Sequence, residues 1–254
     1  MLAVGVTLLV VIALVGVFAP RSGRAADGAP IAGPDRPVGP QTTASATPAN
    51  PATPKKSPTD KPTKKANPDS KKAKVPATLP RSYRQADRSA AAKGKSGRRL
   101  SYSVHVQKGL PYDPDKTAAF IHQVLNDKRS WGRSGEARLR LVGKGKQTDF
   151  EIYLVTRNTT DRMCAPLRTQ GKVSCYSHRG KVVLNADRWA YGAKSYRNQL
   201  TDYRRNLVNH EVGHALGYGH LDCPGKGKKA PIMMQQTKGL DGCKANPWPY
   251  PNAG

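Results

Sequence analysis

The stretch His210-Glu211-Val212-Gly213-His214-Ala215-Leu216-Gly217-Tyr218-Gly219-His220 constrains this chain more than any other. Two histidines four apart on a helix lie on one face, a turn apart, so both imidazoles can reach one ion. Glu211 comes directly after the first of them and can hold a carboxylate beside an activated water, in general-base position. Gly217 stands where such a helix has to end, because glycine takes the left-handed conformation at little steric cost. The turn brings His220 back as a third nitrogen ligand. Three protein ligands and one open position is the pattern of a catalytic zinc site, not of a closed structural one. The expected metal ligands are therefore His210, His214 and His220, with Zn2+ as cofactor and Glu211 as the catalytic residue.

The rest of the chain sorts by composition. Met1 to Ala19 is an uncharged apolar run, expected to be a membrane anchor, or failing that a signal segment, and in either case to send the downstream chain across a membrane. Residues 20–80 are Pro, Ala, Thr, Ser and Lys; over 21–80 there are 11 Lys+Arg against 4 Asp. Such a segment lacks the apolar surface to offset its ordering entropy and reads as a linker. The folded domain is taken as 81–254, with regular structure from about Arg98. Outside the linker 32 basic residues face 13 acidic ones, within a whole-chain net charge of +26. That charge favours anionic cell-envelope polymers as partners. No aromatic-interleaved basic motif, zinc finger or recognition helix supports a specific nucleic-acid partner.

Cys164, Cys175, Cys223 and Cys243 are an even set in an exported domain, which points to disulfides and an oxidising compartment. Of the three pairings that four cysteines allow, the sequential one closes the smallest loops and is the one expected. Neither pair has the tight spacing of a four-cysteine zinc site.

Periodicity places a strand over Leu100–Gln107, a helix opening at Pro114 and ending before Trp131, and strands over Ala137–Val142 and Phe150–Thr156. Cys164 to Cys175 reads as a loop leading into another strand. Lys181–Asn185 is a further strand, and a long helix is expected from about Ser195 to Leu216. His105, His122 and His178 lie outside the signature. His105 and His122 are expected to be structural, and His178 is a candidate for the cleft wall. Trp248 and Tyr250, set among prolines, are expected to pin the tail to the domain.

The spacing H-E-x-x-H-x-x-G-x-x-H resembles that of the metzincin zinc metalloproteases. That resemblance extends to Pro231-Ile232-Met233-Met234, where Met233 takes the place of the family's Met-turn methionine, and to Val183–Trp189, similar to the matrixin stretch before the active-site helix. Over residues 75–252 the chain resembles a family of exported, mainly actinobacterial metzincin-like proteins with no established substrate. The CAPLRTQGKVSC loop, the NHEVGHALGYGH signature, PIMMQQT and NPWPYP carry that likeness. The resemblance implies an α+β, zincin/metzincin-like fold: a twisted mixed sheet packed on two helices, with a small C-terminal Met-turn subdomain. It further implies an edge strand between Gly171 and Ser177, above the cleft, to which an extended peptide can add itself.

The function expected is that of an exported zinc-dependent peptidase, acting on peptide or protein substrates from an extracytoplasmic position, anchored to the membrane or secreted. Two alternatives are a non-catalytic zinc-containing envelope protein and a basic polyanion-binding envelope protein whose histidines are incidental.

Overall fold

A computed structural model describes residues 74–253 apart from 95, 134, 136, 178 and 179. Among these residues the chain forms an α+β domain built on a six-stranded mixed sheet. The strands are β1 (Tyr83–Gln85), β2 (Arg98–Gln107), β3 (Ala137–Leu141), β4 (Phe150–Val155), β5 (Cys175–Ser177) and β6 (Lys181–Asn185). Four helices accompany them: α1 (Pro114–Leu125), α2 (Arg157–Cys164), α3 (Ala186–Tyr191) and α4 (Leu200–Ala215). The sheet runs β1-β2-β4-β6-β5, and β3 also pairs with β2. β2, β4 and β6 are parallel neighbours, whereas β5 closes one edge antiparallel to β6.

Alternation along the strands decides what each face of the sheet meets. Tyr102, Val104 and Val106 of β2, Ile152 and Leu154 of β4, and Val182 and Leu184 of β6 are buried in the main core. Ala118, Ile121, Val124 and Leu125 of α1 and Tyr203, Leu207, Val208 and Val212 of α4 cover that face. The opposite residues Tyr153, Val155 and Val183 join Cys164 and Cys175 in a smaller cluster. Helix α1 starts as its sequence dictates, with Asp113 Oδ1 accepting from the Lys116 N–H at 2.8 Å and Pro114 in the first turn.

Four expectations need correction. The membrane anchor is withdrawn: among the described residues no helix is long and apolar enough to cross a membrane. The longest, α4, is a 16-residue amphipathic segment, and Met1–Ala19, where the anchor was placed, lies outside the described residues. Regular structure begins before Arg98. β1 pairs antiparallel with the end of β2, and the Gln107 amide donates to the carbonyls of Leu79 and Pro80 at 3.1 and 3.0 Å. The last residues assigned to the linker are thus part of the fold.

Residues 157–164, ahead of the expected loop, form helix α2. Its buried positions include Thr159 and Thr160, which are held by hydrogen bonds to the Gln107 amide and the Thr156 carbonyl, so no apolar period marks it. Finally, α4 starts at Leu200 rather than Ser195. A 3-10 turn over Lys194–Tyr196 precedes it and ends at Arg197, whose φ of 47° breaks the helical run.

The disulfides are Cys164–Cys175 and Cys223–Cys243, the sequential pairing. The first ties the end of α2 to the edge strand β5. Replacing both its cysteines with serine should cost about 3 kcal/mol, since the closed loop is short. Chemical denaturation of the variant beside the parent measures it.

Trp248 is buried under the Arg129 guanidinium, 4.0 Å from its ring centre. The Tyr250 N–H donates to the Arg129 carbonyl at 2.9 Å, so the tail is pinned as expected. His105 stacks on Tyr153 and bonds Ser103 Oγ. His122 pairs with the Tyr102 hydroxyl. Both are structural. His178 lies outside the described residues.

Candidate metal centre

Helix α4 is the backbone of the site. Its inner face carries Tyr203, Leu207, Val208 and Val212 into the core, which leaves His210, Glu211 and His214 on the flank that faces a cleft of about 550 Å³. Leu216 closes the helix with its N–H on the Val212 and Gly213 carbonyls. Gly217 then takes φ +101° with no atom near a would-be Cβ. That glycine is demanded by its dihedral, not by space. The reversal brings His220 to the same cleft.

The three imidazoles meet. Their ring centres lie 4.7–5.3 Å apart, and one nitrogen from each falls within 4.8 Å of the others. His210 Nδ1 donates to the Ile232 carbonyl at 2.9 Å, and His214 Nδ1 donates to the Tyr218 carbonyl at 2.8 Å. A carbonyl can only accept, so both protons sit on Nδ1 and both Nε2 atoms carry free lone pairs. His214 Nε2 and His220 Nε2 stand 3.1 Å apart, although neither needs the other as a donor. Two nitrogens sharing a tetrahedral zinc at its usual bond length stand about 3.3 Å apart. The donor set therefore fits a zinc ion: three neutral nitrogens, two of them with their outer protons tied to backbone.

Electrostatics keep the set neutral. Burial lowers His210 to about 4, helped by His214 and His220 against the Ile232 hydrogen bond. Burial also lowers His214 and His220, and for His220 the charges of His214 and Lys238 add to it. Neutral imidazole is the ligating form. Glu211 is 5% exposed, lines the cleft, and has no hydrogen-bond partner among the described residues. Burial raises its carboxyl to about 8. A cation held by the adjacent histidines opposes that effect.

The segment after His220 returns to the histidines: the Ile232 carbonyl accepts from His210 Nδ1, and Gln235–Lys238 line the cleft as its floor. Met233 is buried and joins the main core, while Met234 turns into a second cluster with Ala230 and Cys243. Gly213, to which the sequence alone assigned no role, allows this approach. A Cβ there would run into Met233 Sδ and would stand 2.8 Å from Trp131 Cζ2. Trp131 is itself fixed, its indole N–H donating to the Asn209 carbonyl at 2.9 Å and its ring stacked on Tyr218 at 4.6 Å.

Gln236 holds the floor in place. Its Oε1 accepts from the Tyr196 hydroxyl and the Asn246 N–H, both at 2.9 Å, and its Nε2 donates to the Pro231 and Asn246 carbonyls. Gln236→Ala strands these buried partners and should lower stability by about 2–3 kcal/mol and weaken metal retention with it. Thermal melting with zinc titration checks both. Gly213, Trp131, Asn209 and Gln236 were not singled out from sequence. The only signal for them was their neighbourhood, Asn209 directly before His210 and Gln236 just after the methionine pair.

The edge strand β5 (Cys175–Ser177) falls within the expected Gly171–Ser177 window and, with Leu167–Thr169, lines the wall facing α4. The Cys164–Cys175 bond thus shapes one side of the cleft. Among known proteins, the family described as "Protein of unknown function (DUF3152)" matches residues 70–251. No curated protein and no solved structure gives a significant match.

Proposed function

With that match spanning most of its length, the chain belongs to the DUF3152 family, and we propose that it is an exported zinc-dependent peptidase with a metzincin-like fold. One observation carries the reading. Three neutral imidazoles converge on a cleft in which the carboxylate of the intervening helix residue, Glu211, is buried and without a protein partner. A structural metal site has no use for such a carboxylate. The fold class is supported by the antiparallel edge strand that lines the cleft and by Met233, which packs against Gly213 of the histidine-bearing helix. Export is supported by the two disulfides.

A zinc ion bound there supplies Lewis acidity, making water nucleophilic near neutral pH and polarising a carbonyl. The chain's own groups do the rest. His210, His214 and His220 hold the ion, and the Ile232 and Tyr218 carbonyls fix two of their tautomers. Glu211 takes a proton from the attacking water on its carboxylate and delivers it to the departing amine nitrogen. The low-polarity surroundings that raise its proton affinity suit a group that must accept and then release a proton. The wall from Leu167 to Tyr176 and the floor at Gln235–Lys238 leave an open-ended groove for an extended chain.

Metal analysis of the purified protein should give one zinc per chain, and His214→Ala should lose it. Cleavage of a peptide library should occur, and a chelator should abolish it. Stoichiometric zinc without cleavage of any peptide would leave the metal site and reject the peptidase.

A further inference from the structure

The cleft does not end at the histidines. Thr237 and Lys238 of its floor also line a second, adjoining concavity of about 470 Å³. Arg188, Lys194 and Ser195 form the rest of its polar wall. Among the described residues no acidic side chain lines it, and in the cleft proper the only one is Glu211.

The basic groups there are not consumed by local acids. Arg188 donates to the carbonyls of Lys172 and Gly192, which leaves its charge uncompensated. Lys238 Nζ donates to Gln235 Oε1 at 2.9 Å, and Gln235 in turn lies 3.3 Å from His220 Nε2. Among the described residues Ser195 Oγ is buried without a hydrogen-bond partner, a hydroxyl without a mate in the lining of a basic hollow. Contacts through Gln235 to Lys238 thus link His220 to a hollow that also carries Arg188, Lys194 and an unsatisfied donor.

We propose that this concavity is a carboxylate subsite, which selects peptides carrying an acidic group on the His220 side of the bond to be cleaved. The inference rests on the peptidase reading of the neighbouring cleft. Backbone-bound Arg188 presents a fixed charge, Lys194 and Lys238 close on the ligand from either side, and Ser195 Oγ–H gains the acceptor it lacks. A peptide is favoured over a long anionic polymer because the hollow adjoins the peptide-sized groove and shares Thr237 and Lys238 with it. The carboxylate can be an Asp or Glu side chain or the peptide's own C-terminus.

The test uses the full chain, zinc-loaded, carrying Glu211→Gln so that binding is read without turnover. Fluorescence anisotropy compares three labelled peptides: one with an internal glutamate and an amidated C-terminus, one with a free C-terminus and no acid, and one neutral throughout. At least one acidic peptide should bind about tenfold tighter than the neutral one, and added salt should erase the difference. Lys194→Glu combined with Lys238→Glu should remove the preference, and Lys194→Glu alone, at an exposed position outside the groove, should weaken it while leaving neutral-peptide binding within about twofold. Equal binding of all three peptides would overturn the subsite, as would a preference that survives the double substitution. So would a polyphosphate polymer that binds through the same lysines more tightly than any peptide. If the preference holds but the parent protein cleaves none of the peptides, the subsite stands and the peptidase reading fails.

Discussion

Glu211→Gln should reduce peptide hydrolysis by about 10³-fold, the usual scale for loss of a general base, while zinc stays bound. Glutamine keeps the shape and loses the proton acceptor. The same substitution should make the metal-free protein more stable, because a buried carboxylate with no protein partner is a cost that the neutral amide avoids. The pH dependence separates this from a packing effect. Glu211 titrates at about 8 in the folded chain against an ordinary value of 4.5, so the folded state holds its proton longer and stability falls as pH rises through that interval.

His210 works in the opposite sense. Its folded value of about 4 lies below the ordinary 6.5, so stability rises with pH between those values. The two effects largely offset each other up to about pH 6.5. Above it only Glu211 remains, and metal-free parent protein should lose about 2 kcal/mol between pH 6.5 and 8. In Glu211→Gln that decline should vanish. Denaturant melts of both proteins across that range, beside zinc content and turnover, decide the matter. A variant that hydrolyses peptides at the parent rate removes Glu211 from the chemistry.

Gly213→Ala should be nearly as damaging, through packing alone. In a helix interior alanine ordinarily gains about 1 kcal/mol over glycine. Here the added Cβ meets Met233 Sδ and stands 2.8 Å from the Trp131 ring. Trp131 cannot step back, being bonded to the Asn209 carbonyl and stacked on Tyr218, and Met233 is enclosed on all sides. Overpacking of this kind costs about 3 kcal/mol and outweighs the propensity gain, for a net loss of about 2 kcal/mol.

Metal retention should fall as well. The displaced floor carries the Ile232 carbonyl that orients His210, and Tyr218 carries the one that orients His214. Gly219→Ala is the control, since a Cβ there meets nothing, and it should melt and bind zinc like the parent. If Gly213→Ala also behaves like the parent, Met233 does not fix the site.

Much of this arrangement is legible in the residues alone. Helix α1 came from Pro114 and a clean apolar period, and β2, β3, β4 and β6 from alternation or from short apolar runs; the Asp113 cap of α1 emerged only in the structure. Helix α2 escaped because its inner positions are threonines satisfied by hydrogen bonds, so its burial leaves no apolar trace. β1 escaped because three residues acquire strand geometry only by pairing with the far end of β2. The start of α4 shifted because Arg197 turns to a positive φ, which nothing in its own neighbourhood announces.

For the site, local covalent spacing was enough to name His210, His214 and His220 and to put Glu211 between them, since i and i+4 on a helix share a face whatever the surroundings. It was enough, too, to place a glycine at the reversal. What it could not contain was the surroundings themselves. That the tautomers are set by the carbonyls of Ile232 and Tyr218, that Gly213 is a contact surface for Met233 and Trp131, and that Gln236 ties the floor to Tyr196 and Asn246 all join residues whose meeting depends on the packed core. Helical periodicity fixes neighbours within a few residues of one another. Burial, hydrogen-bond partners and the raised proton affinity of Glu211 belong to groups brought together from distant parts of the chain, and only tertiary packing decides them.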